Sequence, residues 1–163
     1  MSPWVCVLVY TLSIYAILPF ARGWQSVLRG LFDAKMNVFI NLLLLTTGLM
    51  FLLWFARRLS RRRLFTFIVT LVLSFSFAMQ MELPEERIHL IQYGVLGYLC
   101  ASAASATFKG MAGSLMVLAL GLVIGVGDEL IQGILPSRVF DWWDVSYNLG
   151  GVFVGLAVFK IVK

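Results

Sequence analysis

Asp128, Glu129, Gln132, Arg138, Asp141, Asp144 and Asn148 crowd into one short stretch of a chain that is 61% hydrophobic, with a mean hydropathy of +0.93. Ionisable groups are costly in or beside a hydrocarbon layer, where they face protein or water and mark function. Carboxylates move protons, an arginine fork grips a carboxylate or phosphate, and side-chain amides orient both. Upstream, Glu85, His89 and Tyr93 are spaced four residues apart and share one helical face. A carboxylate one turn from an imidazole holds its tautomer and raises its basicity, which suits a general base or proton relay. The same spacing also suits a structural hydrogen bond.

Each group has a plainer reading beside the chemical one. Pro84 fits a first helical position, and Glu85 and Glu86 complement a helix dipole. Asp128 and Glu129 fall near the end of an apolar segment, where the dipole disfavours negative charge. They must meet a cation or a donor there, or one must hold a proton. Gln132 is one turn from both, so the inward face stays open. Arg138, just after Pro136, either grips an anionic group or closes its loop with a salt bridge. Asp141 reads as an N-cap with Asp144 three residues on. Trp142 and Trp143 fit an aromatic belt at the membrane boundary. His89 is the only histidine, so no multi-histidine metal site is expected. Nothing calls for a cofactor: the chain shows no phosphate-cradling glycine loop and no Ser or Cys nucleophile motif.

The elements that must position these groups are membrane helices. A spanning helix needs roughly 20 apolar residues, and six such stretches occur, at about 3–20, 37–56, 64–81, 88–106, 113–133 and 144–162. The first and third are short, so five spans remain an alternative. The predicted fold is an all-α membrane protein, a polytopic bundle of about six helices forming one integral unit. Residues 22–35 are predicted to add an interfacial helix, with Trp24, Val27, Leu28, Leu31 and Phe32 on its apolar side. The N-terminus lacks a basic region and a small-residue cleavage site, and reads as a retained span. Cys6 and Cys100 read as buried small residues.

Arg57, Arg58, Arg61, Arg62 and Arg63 separate spans two and three, and basic short loops stay cytoplasmic. Both termini then lie inside, with Lys109, Lys160 and Lys163. Arg22, Arg29, Lys35, Arg87 and Arg138 lie outside. The net charge of +5 thus reads as topology, not as affinity for nucleic acid. With six crossings, the start of span four, the end of span five and the start of span six share the extracytoplasmic face. Gly94, Gly97 and Ala101, Gly121 and Gly125, and Gly151 and Gly155 would let those three spans pack closely.

The series His89, Tyr93, Glu129, Gln132, Pro136, Arg138, Asp141, Asp144, Asn148 and Gly151 resembles the VanZ-like family of small bacterial membrane proteins. The resemblance covers residues 82–163 as a C-terminal region, most specifically 82–155, while residues 1–80 carry no diagnostic motif. In that family an acidic residue followed by Lys often precedes the histidine; Glu85 and Glu86 stand there in this chain. The resemblance implies a multi-pass protein of the bacterial cytoplasmic membrane acting in the cell envelope. Its namesake lowers susceptibility to teicoplanin, a lipid-tailed glycopeptide antibiotic.

The leading expectation is an extracytoplasmic site for a membrane lipid or a lipid-linked envelope molecule. His89, Glu129 and Asp144 would transfer protons or hydrogen-bond. Glu85, Tyr93, Asp128, Gln132, Arg138, Asp141 and Asn148 would bind, with Arg138 on an anionic group. The alternatives are a proton-coupled transporter and a non-catalytic scaffold. Transport is disfavoured by the absence of an inverted repeat and by acids placed toward one end of the spans. Whether the protein is an enzyme, and its oligomeric state, stay open.

Overall fold

The arginine cluster over residues 57–63 interrupts two apolar runs, and the chain turns there in the computed structural model, which describes residues 2–81, 83, 86–135 and 139–163. Every regular element among these residues is helical. In order they are α1 (Pro3–Phe32), a 3-10 turn (Asp33–Lys35), α2 (Met36–Ala56), α3 (Arg61–Ala78), α4 (Glu86–Ala104), α5 (Gly110–Ile134) and α6 (Trp142–Val162). Large apolar side chains point outward: Leu45, Leu49, Met50 and Leu53 on α2 and Val123 on α5 are all exposed. So many in contiguous faces suit lipid, not water. Four segments are long and apolar enough to cross a membrane: Pro3–Ala21, Met36–Ala56, Gly110–Ile134 and Trp142–Val162. The chain is a helical membrane protein.

The sequence predicts six spans, and the helices matching the other two are built differently. α3 opens on three arginines and carries Thr66, Thr70 and Ser74, whose hydroxyls donate back to the carbonyls four residues earlier. α4 is the centre of the bundle and is buried at Arg87, Leu90, Tyr93, Leu96, Gly97, Cys100, Ala101, Ala103 and Ala104. A helix surrounded by protein needs small and polar residues for its neighbours, not an apolar coat for lipid.

The expected interfacial helix is not a separate element. Residues 22–32 continue α1 without a break, and Pro19 lies inside it. The chain turns only at Asp33, which adopts φ 41° and ψ −124°. At 1.5 Å per residue α1 is about 45 Å long, more than the ~30 Å of a bilayer core. Its last third therefore either tilts steeply or projects beyond the hydrocarbon.

α4 and α6 pack closest of all, backbone against backbone. A side chain at Gly155 would overlap the Gly94 carbonyl, and one at Gly97 would overlap the backbone of Val152. On α5, Gly121 receives the Val152 side chain. Around this seam lie Tyr93, Leu96, Cys100, Val117, Val152 and Leu156, closed on one side by Val7 and Ile14 of α1. Cys6 and Cys100 are free thiols, and Cys100 is buried.

Arg87 fastens one end. It is 7% exposed, and it donates to the carbonyls of Ala78, which ends α3, and of Met81 just beyond it, and to Asn37 and Asn41 on α2. The end of α3 and the starts of α2 and α4 therefore meet at one end of the bundle.

Candidate functional site

At that end a cleft of about 460 Å³ opens. Gln25, Ser26 and Arg29 come from the last third of α1, and Glu86 and His89 from the first turn of α4. Gln132 comes from the end of α5, Asp141 and Asp144 from the start of α6, and Leu83 and Val139 from the connections. These termini converge because each helix runs antiparallel to the one before it, so starts of even-numbered helices meet ends of odd-numbered ones.

The local structure follows from the sequence. Glu86 Oε2 accepts from the Leu83 N–H, closing the start of α4 as a capping-box glutamate does. Asp141 Oδ1 accepts from the Trp143 N–H at 2.8 Å and caps α6. Trp142 and Trp143 are then thrown outward, at 68% and 69% exposure, as an aromatic belt requires.

At the cleft floor and below it the polar groups are tied across helices. Asp128, Glu129, Gln132 and Asn148 are each at most 1% exposed. Both acids of α5 thus turn inward, toward different neighbours. Asp128 Oδ2 accepts from Tyr93 Oη at 3.0 Å, joining α5 to α4. Glu129 Oε1 accepts from Gln132 Nε2 at 2.9 Å, and its Oε2 accepts from the Asp141 N–H at 3.2 Å. Glu129 therefore anchors the backbone that leads into α6. Buried carboxylates survive only with such donors.

His89 is half-buried at the cleft, and its Nδ1 lies 3.1 Å from Asn148 Oδ1 on α6. An amide oxygen only accepts, so in this contact Nδ1 is the donor, and Nε2 is the ring nitrogen left for another partner. The His89 and Tyr93 rings stack with centroids 6.5 Å apart, as their four-residue spacing implies. Asn148 Nδ2 has no hydrogen-bond partner among the described residues. A buried amide in that state is a place for water or an entering polar group.

Of the residues singled out from the sequence, His89, Gln132, Asp141 and Asp144 line the cleft. Tyr93, Asp128, Glu129 and Asn148 lie in the network beneath it. Glu85 and Arg138 lie outside the described residues. No group of three or more His, Cys, Asp or Glu with metal-binding geometry occurs among the described residues.

Sequence reasoning missed three groups of contributors. From spacing alone Gln25, Ser26 and Arg29 fall on the polar side of an interfacial helix, yet they wall the cleft. Arg87, Asn37 and Asn41 carried a signal: two asparagines four residues apart in an otherwise apolar span. Tyr15, whose hydroxyl donates to the Ile124 carbonyl at 2.9 Å and packs against Gly127, had none.

No curated protein and no solved structure matches the chain. A family model described as VanZ/LLP1 matches residues 80–163, just over half of the chain and all of the helices that carry the buried network. That match, on the segment where His89, Tyr93, Asp128, Glu129, Asp144 and Asn148 meet, places the protein: it belongs to the VanZ/LLP1 family.

Proposed function

We infer that the protein is a six-span component of the bacterial cell envelope whose cleft takes the polar head of a membrane lipid or lipid-linked molecule on the extracytoplasmic side. The observation that carries this reading is the cleft's mixed lining. Arg29, Glu86, His89, Gln132, Asp141 and Asp144 stand together with Leu83 and Val139, which are 47% and 85% exposed. Its volume falls within the roughly 300–1,000 Å³ of small-molecule sites. A polar pocket opening beside outward-facing apolar side chains suits an amphiphile better than a soluble solute. Orientation rests on charge: Arg57, Arg58, Arg61, Arg62, Arg63, Lys109, Lys160 and Lys163 gather at the opposite end, and basic ends stay cytoplasmic.

Roles divide by depth. Arg29 and Arg138 would hold an anionic group, and His89 Nε2 and Asp144 would accept or donate a proton at the head. Asp128 and Glu129 act from below by holding Tyr93 and the start of α6. Glu129 has both oxygens engaged, which favours an anchoring role for it over that of an open base. The test is tolerance to a lipoglycopeptide in cells carrying His89→Gln or Asp144→Asn, normalised to membrane abundance. Loss of phenotype at normal abundance supports a working cleft. Full phenotype in both variants would refute it and leave a scaffold that ties helices together.

A further inference from the structure

The bundle has a second opening at its other end. α4 ends at Ala104 and α5 begins at Gly110, and between them and α6 lies a cavity of about 200 Å³ walled by Ala101, Ala104, Gly113, Val117, Leu156 and Phe159. Alanine and glycine leave the room; Leu156 and Phe159 make it apolar. Its polar side chains are Ser105, Ser114 and Lys160. Lys160 Nζ donates to Ser114 Oγ at 2.7 Å, and Ser114 is 8% exposed. Lys163 Nζ donates to Ser105 Oγ at 3.2 Å and sits 5.3 Å from the Phe159 ring centroid. Lys109 stands at the N-cap of α5, and its side chain makes no capping hydrogen bond there.

The charge here is one-sided. The acids among the described residues, Asp33, Glu86, Asp128, Glu129, Asp141 and Asp144, all lie at the cleft end. Both lysine ammonium groups are held by hydroxyls, which position them without neutralising them. A basic rim over an apolar wall between membrane helices is the arrangement that recognises acidic lipid headgroups.

We propose that this cavity binds one anionic phospholipid, its phosphate on Lys160 and Lys163 and the start of its acyl region against Leu156 and Phe159. The volume is too small for a whole ligand of the usual roughly 300 Å³ or more, so most of the lipid stays in the bilayer. The apolar wall gives a free anion nothing to bury, which selects the lipid over soluble phosphate. The α5 N-terminus adds positive potential at the same rim.

Native mass spectrometry of the full-length protein, exchanged from detergent into mixed micelles of phosphatidylglycerol and phosphatidylcholine, tests this. The wild type should retain one phosphatidylglycerol in preference to phosphatidylcholine. Lys160→Met with Lys163→Met should lower that preference about tenfold or more, since each lysine near a headgroup contributes roughly fivefold. Arg57→Met with Arg58→Met removes the same charge from the same end but away from the cavity, and should keep the preference. Equal loss in both double variants, or equal retention in all three proteins, would overturn a defined site in favour of diffuse attraction. Glycerol phosphate that displaces the lipid at low millimolar concentration would overturn the lipid assignment and leave a soluble-anion site.

Discussion

Replacing Arg87 removes the fastening between α2, α3 and α4, and its cost can be worked from the geometry. Nε donates to the Ala78 carbonyl at 3.0 Å and Nη2 to the Met81 carbonyl at 3.1 Å. Nη1 donates to Asn37 Oδ1 at 3.0 Å and to Asn41 Oδ1 at 2.8 Å. Hydrogen bonds from a charged donor contribute about 1.5–3 kcal/mol each, so a bare sum for all of them reaches roughly 6–12 kcal/mol. Members of one network are not additive, and acceptors at helix ends regain water once the side chain is gone. Arg87→Met is therefore expected to cost about 3–5 kcal/mol. Arg87→Lys keeps the charge but loses the planar fork and should cost about half as much. Equilibrium unfolding of the reconstituted protein reads both, and a double-mutant cycle with Asn41→Leu should show a coupling of about 1–2 kcal/mol. A cost for Arg87→Met below about 1 kcal/mol, or no coupling to Asn41, would refute the fastening.

Three further outcomes follow from the packing and the ties. Gly155→Leu, which drives a side chain into the Gly94 carbonyl, should cost at least about 3 kcal/mol or abolish accumulation in the membrane, whereas Gly48→Ala, with open space around it, should be tolerated. Glu129→Ala should cost about 2–4 kcal/mol by stripping an acceptor from Gln132 and from the Asp141 N–H. Glu129→Gln should stay within about 1 kcal/mol, because its oxygen can keep Asp141 while its amide donates to a Gln132 amide turned over; unfolding curves separate the two. With Cys6 and Cys100 replaced, Val139→Cys should react with a membrane-impermeant thiol reagent from outside and Ser60→Cys only from inside, and the reverse pattern would invert the orientation.

The sequence made the helical membrane class legible through apolar run length, and alternation of the runs foretold which helix ends would meet. It also showed the capping role of Asp141, because a cap is local. It did not show which face of α5 points inward. Asp128 and Glu129 are adjacent and either could turn in; in the fold both do, toward different neighbours, which depends on how α4 and α6 sit against α5. The partner of His89 was hidden for the same reason, since Asn148 reaches it across the α4–α6 glycine seam and not along one helix. Residues 22–32 misled because Pro19, Arg22 and Gly23 imitate a break, while polar Gln25, Ser26 and Arg29 suit water and a protein cleft equally. The stretches at 64–81, already short, and 88–106 count as spans in the sequence; α3 takes in Arg61, Arg62 and Arg63 at its start, and α4 carries Glu86, Arg87, His89 and Gln92 among protein neighbours, which explains why their hydropathy is lower.

Photo-cross-linking from the cleft is the most direct test of the central claim. A benzophenone side chain placed at Leu83 or at Val139, both on the cleft wall, should capture a polar-headed envelope amphiphile enriched over the species captured from Leu122, which faces outward elsewhere on α5. Asp144→Asn should reduce that enrichment while leaving capture from Leu122 unchanged. The same lipid profile at the cleft and at Leu122, indifferent to Asp144→Asn, would contradict a cleft that selects the head of an envelope molecule.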